Sequence, residues 1–337
     1  MVALADRLAE TTLDDFAAAS AWAPGGEILA LGSLAGSIAL LDVATGTSVN
    51  WHAHAGGVLC LAWTSDAKTI FSGGADGVLR AWDPAARSER WAHALGPTWI
   101  EHLRVAASSK LVAAAAGRRV VFFSLEGAFV SQTAPLDSTV TSLLFHPKTK
   151  RFVASVYGGV RWLAPKHEAP LRCFAWKDSL LGLAQSVDGR WLAAPCQDTS
   201  VHIWDAVTGD DMAMTGFPGK VKGVAWSEIG PTLATACAQQ ITLWSFAGKG
   251  PNGTTGRPFR GHAGRVLDLA TTRTGQWLLS CSEAGELVAW RLGDGEALLL
   301  EDVAVGLERL TVAPDGSCVA AITEGGGVIV VDLQILP

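Results

Sequence analysis

Residues 54–83, HAGGVLCLAWTSDAKTIFSGGADGVLRAWD, decide the fold. GVLCLAW is a short apolar run, followed by the polar turn TSDAK. TIFSG is a second run, followed by the Gly-containing turn GADG. VLRAW is a third, ending at Trp82-Asp83. Three short runs rich in strand-forming residues, joined by tight turns, read as an antiparallel meander. One meander cannot bury both faces, so the chain must supply similar neighbours.

It does so at a regular spacing. The equivalent third-strand positions are Leu41, Trp82, Phe123, Trp162, Trp204, Trp244, Trp290 and Val331, at intervals of 41, 41, 39, 42, 40, 46 and 41 residues. Turn sequences such as APGG (23–26), SVDG (186–189) and APDG (313–316) recur between first and second strands. Their Pro, Asp and Gly residues supply turn dihedrals. A period near 40 with four strands per period predicts an all-β chain, a single closed β-propeller of four-stranded antiparallel blades. Eight repeats are counted; seven blades is the alternative. Only seven fourth-strand segments follow the eight third strands, so the missing one is expected from the N-terminus, around Val2–Glu10. That pairing closes the ring and protects its edges. The same stretch, VALADRLAE, can also be read as a helical turn. The one long irregular segment, 247–257 (AGKGPNGTTGR), reads as a loop. No linker is evident, and residues 1–337 read as one domain.

Repeat 2 resembles the WD-repeat β-propeller family residue by residue. His54 precedes the first strand, Ser72 lies in the second, Asp76 in the following turn, and Trp82-Asp83 ends the third. The resemblance implies a buried tetrad in which Asp76 holds His54, His54 reaches Ser72, and Ser72 reaches the Trp82 indole. Repeat 7 keeps His262, Ser280 and Trp290 but has Ala284 at the Asp position. Repeat 5 keeps Asp198 and Trp204-Asp205, with Trp176 and Ala194 at the His and hydroxyl positions. The other repeats read as mostly Ala, Gly and aliphatic there. The resemblance further implies a rigid, non-enzymatic platform for protein or peptide partners, without a cofactor.

Composition narrows the function classes. A net charge of −6 gives no electrostatic reason to expect nucleic acid. The N-terminus has no basic, apolar leader pattern. No run of about 18 apolar residues suggests a membrane helix. The six cysteines, at 60, 173, 196, 237, 281 and 318, form no CxxC pair and read as reduced core residues. A reducing cytoplasm is expected, and the Ala-rich, Arg-over-Lys usage points to a GC-rich bacterial source. Fourteen Trp against one Tyr suits sheet packing.

Three function classes are carried forward. The first is the interaction scaffold. Its expected partner surface is the face bearing the second-to-third and fourth-to-first turns of blades 3–5. Trp99, Tyr157 and Trp176 form its aromatic centre, with Glu101, His102, Arg118, Arg119, Lys177 and Asp178 around them. The second is a metal-binding accessory protein, because His52 and His54 share a strand face and His93 lies on the next fourth strand; no metal ligand is assigned. The third is a propeller enzyme with a site at the channel mouth, where Glu101, His102, Lys222, Asp268, Glu308 and Arg309 fall just inside the first strands. No Walker, Rossmann, GxSxG or HExxH pattern stands in a fitting context. GDGE (293–296) and EGGG (324–327) read as hairpin turns.

Overall fold

The computed structural model describes residues 4–248 and 250–336. They form eight four-stranded antiparallel sheets, each ordered first-second-third-fourth, and the fold is an eight-bladed β-propeller. A one-turn 3₁₀ helix, Ala107–Ser109, is the only helix among the described residues. The chain divides into two compact units.

The first unit, Leu13–Asp42 with Thr47–Leu183, holds four blades. Blade 1 is Ala17–Trp22, Ile28–Ser33, Ser37–Asp42 and Ser48–His52. Blade 2 is Val58–Trp63, Ile70–Gly74, Val78–Asp83 and Ser88–Ala94. Blade 3 is Ile100–Ala106, Leu111–Ala116, Arg119–Ser124 and Phe129–Gln132. Blade 4 is Ser142–His146, Arg151–Val156, Gly159–Leu163 and Arg172–Ala175.

The second unit, Met1–Thr12, Val43–Gly46 and Ala184–Pro337, holds the rest. Blade 5 is Ala184–Gln185, Trp191–Pro195, Val201–Asp205 and Asp211–Met214. Blade 6 is Val221–Trp226, Thr232–Cys237, Gln240–Ser245 and Arg257–Arg260. Blade 7 is Val266–Thr271, Trp277–Ser282, Glu286–Arg291 and Ala297–Asp302. Blade 8 takes Leu307–Val312, Cys318–Thr323 and Gly327–Asp332 from the C-terminus, and Arg7–Thr12 from the N-terminus.

That last pairing is the closure expected from the strand count: Glu10 lies opposite Ile329 and Thr12 opposite Gly327. The strand begins and ends later than Val2–Glu10, and Val2 and Ala3 lie outside the described residues. The helical reading of VALADRLAE gives way to a strand from Arg7. Cross-strand bonding explains why. Asp332 N–H donates to the Asp6 carbonyl at 2.9 Å, and the Arg7 guanidinium meets Glu301 at 2.9 Å.

Second and third strands are buried almost throughout, because sheet packs on both faces; Val112, Ala113, Ala114, Val120 and Phe122 are fully enclosed. That burial explains the near-continuous apolar runs in the sequence. First strands differ. In six blades the register slips by one residue near the strand start, leaving Ala18, Leu59 and Glu101 out of the ladder in the first unit, and Lys222, Leu267 and Glu308 in the second. Such a bulge re-aims side chains. It breaks the alternation on which a sequence reading of these strands depends.

Candidate functional site

Blade 2 assembles the tetrad. His54 Nε2 lies 2.7 Å from Ser72 Oγ, His54 Nδ1 lies 2.9 Å from Asp76, and the Trp82 indole donates to Ser72 Oγ at 2.8 Å. Asp76 also accepts from the Ala55 and Val78 N–H groups. Burial pushes the Asp76 carboxyl up, but the bonds from His54, Val78 and Ala55 outweigh it and hold it below the usual range. Burial likewise pushes His54 down, against the pull of Asp76. The imidazole is therefore neutral near pH 7.

Blade 7 is more complete than its sequence suggests. Ala284 leaves the position of Asp76 without a carboxylate, but Glu286 supplies one from the start of the third strand. His262 Nδ1 lies 2.9 Å from Glu286, His262 Nε2 lies 2.6 Å from Ser280, and Trp290 donates to Ser280 at 2.7 Å. Ala263 N–H donates to the same carboxylate at 3.0 Å. Blade 6 keeps half a network. Trp244 donates to Thr235 at 3.0 Å, and Phe217 packs edge-on against the indole from the His position. The apolar reading of repeat 6 is corrected accordingly. In blade 5, Ala194 removes the hydroxyl, and among the described residues the buried Trp204 N–H has no partner. Replacement there leaves an orphaned donor rather than a wholly apolar site.

The expected partner residues fall on a run of loops within the first unit. Val140 N–H donates to the Gly117 carbonyl at 3.0 Å, and Leu136 N–H to the Arg118 carbonyl at 2.7 Å. The Arg118 guanidinium returns a bond to the Leu136 carbonyl at 2.8 Å. Tyr157 N–H donates to Ser138 Oγ at 2.7 Å. Trp176 N–H donates to the Gly158 carbonyl at 3.2 Å, and Gly158 N–H to the Asp178 carbonyl at 3.4 Å. A Cβ on Gly117 would touch Thr98, the neighbour of Trp99, at 3.3 Å. Alternating turns are thus laced into one rim carrying Trp99, Arg118, Tyr157, Trp176, Lys177 and Asp178. Trp99 is 61% and Tyr157 57% exposed, large values for aromatic residues. Trp176 is half-buried, with the Lys177 ammonium 5.8 Å from its ring centre.

Three of the expected residues behave otherwise. Arg119 donates to the Thr133 carbonyl at 2.9 Å and so braces the outer edge of blade 3. Glu101 is the bulged residue of the first strand, and His102 pairs with Ala115 inside that sheet. Neither is a loop residue. Sequence reasoning also missed Phe16 and Leu34, exposed apolar residues on the same class of turns in blade 1, where Leu34 N–H donates to the Phe16 carbonyl at 2.9 Å. The available signal was positional: Phe16, like Trp99, immediately precedes a first strand.

Asp268, another charged residue of the first strands, also has a structural task. Asp268 accepts from Leu269 N–H at 2.9 Å and Leu310 N–H at 3.0 Å, tying blade 7 to blade 8. Burial pushes its pKa up to about 6. The His52/His54 pair is not poised for metal, because both His54 nitrogens are engaged; His93 is directed to the Gly127 carbonyl at 2.8 Å.

Comparison with known proteins agrees with this geometry. The family model "WD domain, G-beta repeat" matches residues 46–83, 167–205 and 253–291. Each match ends with the third strand of a blade: 2, 5 and 7. The chain is 30% identical over 131 residues to the Anaphase-promoting complex subunit cdh1 of Dictyostelium discoideum, covering 37% of this chain and 16% of that protein. It is 24% identical over 196 residues to Periodic tryptophan protein 2 of Arabidopsis thaliana, covering 56% and 22%. It therefore spans about a fifth of the length of these curated relatives. Among solved structures, the C-terminal WD40 domain of Sif2 superposes with a TM-score of 0.80 at 14% identity, covering 99% of both chains. The computationally designed Ika8 protein gives 0.79 at 18% identity, covering 97% of this chain and 99% of that one. Three blades match the repeat model and two build the tetrad: the chain is a β-propeller that carries WD repeats in blades 2, 5 and 7.

Proposed function

We propose that this protein is a non-enzymatic interaction scaffold whose 337 residues act as one propeller domain in a reducing, bacterial cytoplasm, binding a protein or peptide partner through the rim of the first unit. The observation that carries the reading is the exposure of Trp99 and Tyr157 on loops fixed by interlocking hydrogen bonds. Rigid loops lose little entropy on binding, and aromatic rings with an Arg beside them are the residues most often found at interface centres. Trp176, Lys177 and Asp178 extend the surface along blade 4. The kinship to a subunit of a larger complex is consistent with this role. Among the described residues no helix is long and apolar enough to cross a membrane, and five of the six free thiols are buried.

The test is capture of partners from host extract by the tagged protein, followed by affinity measurement for each Ala variant. Trp99→Ala and Tyr157→Ala are expected to weaken binding by about 1–3 kcal/mol each with unchanged melting temperature. Unchanged affinity in both variants would remove this surface.

A further inference from the structure

We propose a second binding site in the first unit, separate from the rim: the face of blade 3's first strand that carries His102 and Arg104 takes a small oxyanion, a carboxylate or a phosphate group. The sheet register shows Arg104 to be the odd residue at its position. It pairs with Ala113, as Ala21 pairs with Ala30, Ala62 with Phe71, Ala225 with Ala234, Ala270 with Leu279, and Thr311 with Ala320. The other five bulged blades thus carry Ala or Thr at the position that holds a guanidinium here. No packing need explains so long a side chain at a small-residue site.

Its bonding is incomplete. Arg104 Nη1 donates to the neighbouring Leu103 carbonyl at 2.8 Å. Among the described residues it makes no ion pair. Arg104 is exposed, yet the protein around it desolvates the charge and pushes its pKa down. A guanidinium offers five N–H donors in a planar fork that matches two oxygens of a carboxylate or phosphate. Here most of that fork is unused. His102 is two residues away with no bulge between, so both side chains leave the same strand face. Its pKa is pushed down to about 4, first by burial and then by the Arg104 charge. At pH 7 it is a neutral imidazole able to donate one N–H beside the cation. Glu101, one residue before His102, is bulged out of the ladder and forms no ion pair with Arg104.

Isothermal titration of the full chain at low ionic strength tests this with two probes, inorganic phosphate and N-acetylglycine. Saturable one-to-one binding of at least one probe is expected, weakened tenfold or more in Arg104→Ala. Ala is the residue four other blades carry at this position, so that variant keeps the fold; an unchanged melting temperature without ligand checks it. Arg104→Lys keeps the charge but loses the fork and is expected to fall between. Preference for phosphate assigns a free phosphate group, and preference for N-acetylglycine assigns a peptide-type carboxylate. Trp99→Ala should bind both probes as the unaltered chain does, which separates this site from the rim. No saturation by either probe, or equal binding by Arg104→Ala, overturns the proposal.

Discussion

Blades 2 and 7 build the same network from different positions. Both place a His Nδ1 at 2.9 Å from a carboxylate and a Trp N–H on a Ser hydroxyl within 2.8 Å. In blade 2 the carboxylate comes from the turn, at Asp76. In blade 7 it comes from Glu286, two positions further on by register, with one more methylene to reach back. The residue beneath the carboxylate changes with it. A Cβ on Gly74 would stand 2.2 Å from His54 Nδ1 and 2.6 Å from Asp76 Oδ1, so blade 2 requires glycine there. The equivalent residue in blade 7 is Ser282, whose hydroxyl donates to Glu286 at 2.9 Å. Carboxylate and neighbour therefore form a coupled choice: Gly with a turn Asp, or Ser with a strand Glu.

The harshest way to break that coupling is to mix the two solutions. Gly74→Ser should cost about 3 kcal/mol or more, because the new side chain displaces His54 from buried partners. Adding Asp76→Ala and Val78→Glu rebuilds the blade 7 arrangement and should recover most of the loss in urea denaturation. A harmless Gly74→Ser would show that the tetrad does not constrain this position.

Removing either carboxylate comes next. Asp76→Ala and Glu286→Ala should each cost about 1–3 kcal/mol by leaving a His N–H and an Ala N–H unpaired. Ala284→Asp should change stability by less than about 0.5 kcal/mol, since Glu286 already fills the role. A large gain from Ala284→Asp would mean that Glu286 is not engaged.

This pair of blades also shows what the sequence carries. The period, the eight third strands and the need for an N-terminal strand are legible because turn residues and apolar runs mark every blade and Trp marks most of them. The tetrad of blade 2 is legible because its residues stand at the family's spacing. Glu286 is not, because a longer side chain reaches the same point from a different position. The bulges at Glu101, Lys222 and Glu308 escape as well, since a one-residue slip is a matter of pairing with the next strand and is not written in the residue types of the first. Trp99 and Tyr157 can be placed on turns by counting, but their exposure depends on the depth of neighbouring loops.

Acid should act on both blades alike. Burial keeps His54 and His262 neutral, with pKa values below that of a free imidazole. The unfolded chain takes up these protons near pH 6.5 and the folded chain does not. Stability therefore falls as pH drops below about 6.5, by up to about 1.4 kcal/mol per pH unit for each residue. Asp76 and Glu286, held low in the folded state, add a further loss only near pH 4 and below. Asp268 opposes the trend: with its pKa pushed up to about 6, the folded chain takes that proton first, which stabilises it between about pH 6 and 4. Urea midpoints at pH 7.5 and 5.5 check this. His54→Gln and His262→Gln should each flatten the pH dependence by a similar amount; an unequal response would separate the two blades.

The smallest expected effect concerns the blade that lacks the network. In blade 5, Trp204 pairs with Leu192 as Trp82 pairs with Ile70, and Ala194 occupies the position of Ser72. The Trp204 indole is buried, and its N–H has no acceptor among the described residues. His202 packs edge-on against that ring at 4.5 Å between centroids. Ala194→Ser adds one oxygen at the point where blades 2 and 7 accept the indole bond. The hydroxyl must be desolvated on folding, which offsets part of the gain, and a net stabilisation of about 0.5–1 kcal/mol is expected. The urea midpoint should rise with the slope unchanged. The control is Ala194→Val, which fills similar space without an acceptor and should not stabilise. Equal effects from Ser and Val would mean that packing, rather than the missing acceptor, distinguishes blade 5 from the two complete blades.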